Sequence, residues 1–386
     1  MKKVLIGLSL LSMVLGFTAF DCSSAELTGA KLYINQKQYD KAKEALQKDV
    51  EKNPASDEGW WLLGYLDGEQ GNFKDMFTAF DKSLAISKKF ETQITEYKRW
   101  AWQSSFNKGV SFFNQAVKSP KPDSMKILFG KAVEQFVNST ICQPDSSIGY
   151  ENAAAVYMNL NDYDGAIPYW EKLTKIGKPS NSFARLGQIY MVKGAGLMDT
   201  FKASKDKADS IKAADWYAKA LIVLKSGNDK FPGDSDILLQ LGNAYYISNQ
   251  LDVAISSFKI LVDKNPENKE LKYALGVVLL KAQKYQESTA QLEAVLKMDA
   301  NYTDALYNLS AAYINWGNDL RDVAVKKEST DKSYEDKFRL AVPLLEKYLT
   351  IKPNEPRIWI SLGQVYALLG QAEKSSAAFK KADEYK

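Results

Sequence analysis

The 34 residues from Ser235 to Asn268, SDILLQLGNAYYISNQLDVAISSFKILVDKNPEN, predict two helices joined by a short turn. Gly242 and Ala254 are small where two packed helices would approach to roughly 8–10 Å. The larger residues expected beside this crossing are Leu241, Tyr245 and Phe258. Pro266 has no N–H to donate and disfavours the α conformation of the residue before it, so the second helix should end there.

A single pair of helices of this kind cannot bury its apolar face, so it must stack on copies of itself. The same offsets recur along the chain in nine segments, whose approximate boundaries are 26–56, 57–90, 91–146, 147–179, 180–234, 235–268, 269–302, 303–355 and 356–386. The pattern resembles the tetratricopeptide repeat family. The resemblance implies an all-α fold, a right-handed α-solenoid superhelix of about nine helical hairpins.

Three of the nine segments, 91–146, 180–234 and 303–355, are longer than the family period of about 34 residues. In each, the extra residues fall between the first and the second helix, which predicts elongated helices or an insertion at the turn. The insertion in the last of them is highly charged and is expected to be a solvated hairpin tip. In segment 180–234, Gly194 and Gly196 are expected to loosen the first helix.

Residues 1–25 differ in kind from the repeats and have the pattern of a secretory signal peptide. Lys2 and Lys3 precede an apolar run from Val4 to Phe20, and small residues lead up to Ala25. Cleavage after Ala25 would start the mature chain at Glu26 and place it in the periplasm of a bacterium.

Two alternatives to cleavage remain open at this end of the chain. Cys22 could be acylated, giving an outer-membrane lipoprotein, although Asp21 is a poor residue to precede a lipidated cysteine. The apolar run could also stay as an anchor, but its length only marginally spans a bilayer. Membrane association is therefore expected only if Cys22 carries lipid. The other cysteine, Cys142, is expected to be an inert thiol.

The composition argues against several classes of function. The chain has 51 basic and 47 acidic residues and no histidine. The charge balance gives no basic field for nucleic acid, and the missing histidine removes the usual general base and the commonest metal ligand. No glycine-rich phosphate loop is present. We therefore expect a protein that is not an enzyme and that has no cofactor and no metal.

Members of the family bind partners on a concave groove lined by the first helix of each repeat, at positions 2, 5, 9 and 12. These positions hold Trp61, Tyr65, Phe106, Phe113, Asn243, Tyr246, Tyr273 and Tyr307. Aromatic side chains with a polar tip suit the recognition of peptides or proteins. The alternative is that several of these aromatic residues, Phe106 and Phe113 above all, belong to the hydrophobic core.

The resemblance thus implies a non-catalytic scaffold or adaptor that binds a protein or peptide partner of the bacterial cell envelope. A second hypothesis is an adaptor for a glycan such as peptidoglycan. In that case Trp61, Tyr65, Tyr246 and Tyr273 would serve as stacking platforms for sugar rings.

Overall fold

A computed structural model describes residues 24–385, and every regular element among them is an α-helix. The helices are α1 (Ala25–Asn35), α2 (Tyr39–Lys52), α3 (Asp57–Glu69), α4 (Phe73–Ile86), α5 (Glu91–Lys118), α6 (Pro122–Cys142), α7 (Ser147–Asn159), α8 (Tyr163–Ile176), α9 (Asn181–Ser204), α10 (Lys207–Lys230), α11 (Ser235–Ile247), α12 (Leu251–Lys264), α13 (Lys269–Lys281), α14 (Tyr285–Met298), α15 (Thr303–Lys326), α16 (Ser333–Ile351), α17 (Pro356–Leu368) and α18 (Ala372–Glu384). They follow one another in consecutive pairs, so the predicted all-α solenoid class is confirmed.

Most of the predicted signal peptide, including Cys22, lies outside the described residues. The first helix, α1, begins at Ala25, and the Ser24 side chain caps it by accepting a hydrogen bond from the Leu27 amide at 2.9 Å. The predicted cleavage point after Ala25 therefore falls in the first turn of α1. Cleavage there would remove the residue that caps this helix.

The described residues form two compact units that divide after Asn161. In the N-terminal unit, α1–α2, α3–α4 and α5–α6 pack as hairpins, while α2 packs on α3 and α6 on α7. One buried cluster of this unit surrounds Leu46 and Leu66, and a second surrounds Phe80 and Ile94.

The C-terminal unit begins at Asp162 and contains α8 to α18. From α8 onward, each helix packs on the next one along the chain. Its buried clusters combine aromatic and aliphatic side chains, as in the group around Leu309 and Tyr313 and the group around Phe338 and Tyr366.

The helix crossing that the sequence predicts in residues 235–268 is present. A Cβ atom added to Gly242 would lie 3.0 Å from Cε2 of Phe258, so the first helix lies directly against the ring. Gly64 faces Phe80 in the same way, at 2.5 Å from Cδ1. A Cβ at Gly64 would collide with the ring, whereas a Cβ at Gly242 would require the ring to shift by a few tenths of an ångström, so any larger side chain there would overpack the crossing.

The turn between the two helices is set by one residue with positive φ in each standard-length repeat. The residues in this left-handed conformation are Lys37, Gly71, Asn161, Asn249, Gln283 and Gly370. Such a residue ends the first helix, and within each unit it reverses the chain within two or three positions.

The three long segments owe their length mainly to additional helix. The α15 helix runs to Lys326 and α16 begins at Ser333, so most of the charged insertion is helical and the non-helical tip is short. The expectation that Gly194 loosens α9 is wrong. A Cβ at Gly194 would lie 2.5 Å from Cε1 of Tyr217, so the Tyr217 ring packs directly on this position and leaves no room for a side chain.

Candidate functional site

The predicted groove residues of the N-terminal unit are engaged in ring packing. The Trp61 indole stacks on Phe80 with ring centroids 5.4 Å apart and on Phe90 at 6.2 Å. Tyr65 meets Tyr97 edge-on at 5.2 Å. Both side chains are half-buried. These contacts indicate that Trp61 and Tyr65 help to hold α3 against α4 and α5.

The two tyrosines of this cluster are held in their neutral form. Burial, followed by the charge of Glu69, raises the pKa of Tyr65 to about 12. Burial also raises the pKa of Tyr97, whose hydroxyl donates to Oε1 of Glu69 at 2.8 Å and to the Tyr65 carbonyl at 3.3 Å. The Tyr97 phenol is therefore already hydrogen-bonded within the fold and offers less to a ligand, whereas Tyr65 contributes its backbone carbonyl to this bond.

Phe106 and Phe113 also pack inside their own hairpin. The Phe106 ring stacks on Trp102, with ring centroids 5.7 Å apart, and its centroid lies 5.6 Å from that of Phe136. The Phe113 and Phe129 centroids are 5.5 Å apart. The geometry therefore favours the alternative in which these two phenylalanines belong to the α5–α6 core. A role in binding stays a hypothesis.

In the C-terminal unit the predicted groove residues lie on three successive first helices. We call Asn243 and Tyr246 on α11, Tyr273 on α13 and Tyr307 on α15 the C-terminal aromatic face. All four are at least partly exposed, and Tyr307 is 46% exposed.

Tyr246 is joined to the next first helix by a lysine. Lys281 on α13 donates from Nζ to the Tyr246 carbonyl at 3.0 Å, and the same Nζ lies 4.2 Å from the centroid of the Tyr246 ring. The lysine thus covers one face of the ring and leaves a positive charge beside it. The Tyr246 hydroxyl forms no hydrogen bond within residues 24–385.

Tyr273 is joined to α15 by an amide. Nδ2 of Asn308 donates to the Tyr273 hydroxyl at 2.9 Å, and the Tyr302 ring lies 5.3 Å from the Tyr273 ring. Burial, followed by the charge of Asp304, raises the pKa of Tyr273 to about 12. Tyr273 therefore has a positioning role on this face as well as a partly exposed ring.

Two further groups on the face are open to solvent and have no partner within the part of the chain that the structure describes. The Asn243 side-chain amide and the Tyr307 hydroxyl make no hydrogen bond there. An amide offers both donors and an acceptor, which is what the backbone of an extended peptide requires.

Sequence reasoning missed Lys281 and Asn308. Each contacts a tyrosine that precedes it by 35 residues, which is one repeat plus one position. This spacing places the two residues of each pair on the first helices of neighbouring repeats, with the second residue one position further along its helix than the first. A search for polar residues 35 positions after each groove aromatic residue would have found both.

Other candidate chemistry is sparse in the described chain. Within residues 24–385, no group of three or more His, Cys, Asp or Glu side chains is arranged to hold a metal ion. Burial raises the pKa of the Cys142 thiol to about 12, which keeps it protonated and agrees with the expected inert thiol. None of the helices in this range has both the length and the apolar content needed to cross a membrane.

Protein-family sequence models described as tetratricopeptide repeat match residues 25–56, 239–303 and 356–386 of the chain. Anaphase-promoting complex subunit CDC16 of Saccharomyces cerevisiae is 31% identical over 99 residues, which cover 26% of this chain and 12% of that protein. Hsp70-Hsp90 organizing protein 3 of Arabidopsis thaliana is 25% identical over 191 residues, which cover 49% of this chain and 31% of that protein. The chain therefore spans a minor part of either relative.

Among solved structures, the crystal structure of YrrB, described as a TPR protein with an unusual peptide-binding site, is similar to part of this chain. The identity is 19% and the TM-score is 0.41, and the match covers 57% of this chain and 94% of that chain.

Proposed function

Because the chain belongs to the tetratricopeptide repeat family, we propose that it is a non-catalytic scaffold that binds a peptide or protein segment on its C-terminal aromatic face. Family members generally mediate interactions between proteins. Two of the relatives support this role, since one is named as a subunit of a complex and the other as an Hsp70-Hsp90 organizing protein.

The observation that carries the proposal is the set of solvent-accessible polar groups on this face that have no hydrogen-bond partner in residues 24–385. Asn243, Tyr246 and Tyr307 together offer an amide and two phenols without hydrogen-bond partners in residues 24–385. Aromatic rings with a polar tip supply contact area at a low cost in side-chain entropy. Polar groups in a binding groove gain most when the ligand supplies the missing partner.

The N-terminal groove residues support the proposal less. Each of these four rings packs against other rings of its own unit, which leaves less of its surface for a partner. They are Trp61, Tyr65, Phe106 and Phe113. For this reason we assign binding to the C-terminal unit and a packing role to these four residues.

The glycan hypothesis has weaker support from the same geometry. Two of its four stacking platforms, Trp61 and Tyr65, lie among other rings, and one face of Tyr246 is covered by Lys281. A sugar ring stacks on an open aromatic face, and the contacts of these residues leave few such faces open.

The proposed location is the bacterial cell envelope, and it rests on the signal-like residues 1–25. Cleavage and acylation lead to different N-termini, Glu26 and a lipidated Cys22. The mass of the N-terminal peptide of the protein isolated from its own cells distinguishes them, and an unprocessed Met1 in the cytoplasmic fraction would refute the envelope location.

Affinity capture from the native cell tests the binding role. The bait is the full chain, compared with the triple variant N243A/Y246A/Y307A and with the control Y163A, which removes a half-buried tyrosine from α8. Removing two aromatic anchors should weaken binding by at least about 100-fold.

We expect one defined protein to be retained by the parent chain and by Y163A and to be lost from the triple variant. Equal retention by all three proteins would refute binding on the C-terminal aromatic face. Circular dichroism melting curves verify that the triple variant remains folded.

A further inference from the structure

The tip of the elongated α5–α6 hairpin carries an uncompensated positive charge. Residues 108–131 contain five lysines and one acidic residue, Asp123, for a net charge of +4. The lysines are Lys108, Lys118, Lys121, Lys126 and Lys131, and all five are exposed. None of them forms an ion pair with another residue of the described chain.

The other two long hairpins differ in this respect. In α15–α16, residues 319–337 contain five basic and six acidic residues, a net charge of −1. Arg339 there pairs with Glu335 and Asp336 at 2.6 and 2.7 Å. In α9–α10, Lys202 pairs with Asp199 at 2.8 Å. Their charges are at least partly neutralised locally, as expected for solvated helix ends.

The same α5–α6 tip exposes aliphatic side chains on both sides of its turn. Val117, in the last turn of α5, is 60% exposed, and Ile127, in the second turn of α6, is 62% exposed. Lys118, Lys121 and Lys126 surround them in sequence. We call these five residues the basic tip.

We infer that the basic tip docks on the surface of an anionic lipid bilayer. Lysines near such a surface are attracted by its negative potential, and their alkyl stems lie along apolar material while the ammonium groups stay hydrated. Val117 and Ile127 can enter the boundary between headgroups and acyl chains, where exposed aliphatic groups lose contact with water. Docking of this kind needs neither a spanning helix nor a lipidated cysteine, and it is independent of the C-terminal aromatic face.

A protein partner fits the basic tip less well. Protein interfaces are enriched in tyrosine, tryptophan and arginine and depleted in lysine. The segment from Val117 to Ile127 contains no aromatic residue and no arginine. Point charges without a fixed fork geometry suit a laterally mobile array of anionic headgroups better than a shaped protein pocket.

Vesicle flotation tests the inference with the protein as cells produce it. Vesicles of phosphatidylcholine alone are compared with vesicles containing about one third phosphatidylglycerol, at low and at high salt. The variants are K118Q/K121Q/K126Q and V117S/I127S. The matched control is K326Q/K327Q/K332Q, which removes three lysines from the α15–α16 tip. Residues 1–25 are the same in every protein, so their contribution cancels between variants.

We expect binding to the anionic vesicles only, with a loss of about 100-fold for the lysine variant and about tenfold for the aliphatic variant. High salt should reproduce the loss, and the control should bind like the parent. Equal binding by parent and lysine variant, an equal loss in the control, or no preference for anionic vesicles would overturn the inference. Cross-linking of the tip to a discrete protein in cells, without vesicle binding, would overturn it in favour of a protein partner.

Discussion

The hydroxyl of Tyr190 on α9 donates a hydrogen bond to Oε1 of Glu171 on α8, at 2.8 Å. The same link recurs between Tyr313 and Glu293 and between Tyr366 and Glu346. Each bond joins the second helix of one repeat to the first helix of the next. The three tyrosine rings are buried, whereas Glu171 and Glu293 are partly exposed and Glu346 is exposed, so each bond couples neighbouring repeats at the edge of the core.

These links predict a loss of stability in alkaline solution. Burial, followed by the bond to the glutamate, raises the pKa of Tyr190, Tyr313 and Tyr366 above the value near 10 of an unfolded tyrosine. Because the folded state holds the proton more tightly, the contribution to stability is complete below pH 10 and is lost as the pH rises above it.

Urea unfolding of the parent chain and of Y190F/Y313F/Y366F between pH 8 and pH 11 checks this prediction. The phenylalanine variant should be less stable at pH 8, by about 1 kcal/mol per lost hydrogen bond, and less sensitive to pH above 10. An equal slope for both chains above pH 10 would show that the tyrosine links do not carry the effect.

The close contact of Gly242 with the Phe258 ring predicts that G242V overpacks the α11–α12 crossing. We expect a loss of about 1–3 kcal/mol in the free energy of unfolding. The control is G130A, since a Cβ at Gly130 meets no atom within 4 Å and alanine should stabilise α6 by about 0.5–1 kcal/mol. An unchanged unfolding curve for G242V would contradict the assigned crossing.

The left-handed turn residues predict opposite effects at two equivalent positions. Gln283 has φ of 59° and Gly71 has φ of +80°. Glycine accepts this conformation without steric cost, so Q283G should raise the free energy of unfolding and G71A should lower it, by about 1 kcal/mol in each case. Urea unfolding of the two variants measures both changes. If both variants destabilise the chain, intrinsic backbone preference does not govern these turns.

The Ser24 cap predicts a local weakness in the first repeat. Besides capping α1, the Ser24 hydroxyl bonds Asp49, a buried carboxylate that also accepts from the Ser56 hydroxyl at 2.7 Å. In S24A the α1 amides should exchange with solvent faster, corresponding to about 1–2 kcal/mol of lost protection. Unchanged exchange in α1 would contradict this role of the serine.

The sequence predicts most of the helical fold because the residues that determine the packing of a hairpin lie within the same repeat. Gly242 at the helix crossing and Pro266 at the helix end both act within one hairpin. Residues of the same kind recur at a regular spacing, and this makes them recognisable in the sequence. The long hairpins are predicted less well. The role of Gly194 depends on Tyr217, a partner 23 residues away whose position is fixed only by the length of the insertion.

The candidate site could be predicted only in outline from the sequence. The family offsets identify Tyr246 and Trp61 equally, yet Trp61 lies among Phe80, Phe90 and Tyr97 while Tyr246 faces a lysine. Tyr97 belongs to α5, the elongated first helix of the next repeat, so its contact with Trp61 is not encoded within a single repeat. Position in a repeat therefore predicts the face of a helix, and neighbouring repeats decide whether that face is covered.

Photo-cross-linking in living cells tests the central claim most directly. Benzoylphenylalanine is placed at position 307 on the C-terminal aromatic face and, in a separate chain, at position 163 on α8. We predict a cross-link to one discrete protein from position 307 and none from position 163. A cross-link from position 163 alone would contradict the claim, because it would place the partner away from the C-terminal aromatic face.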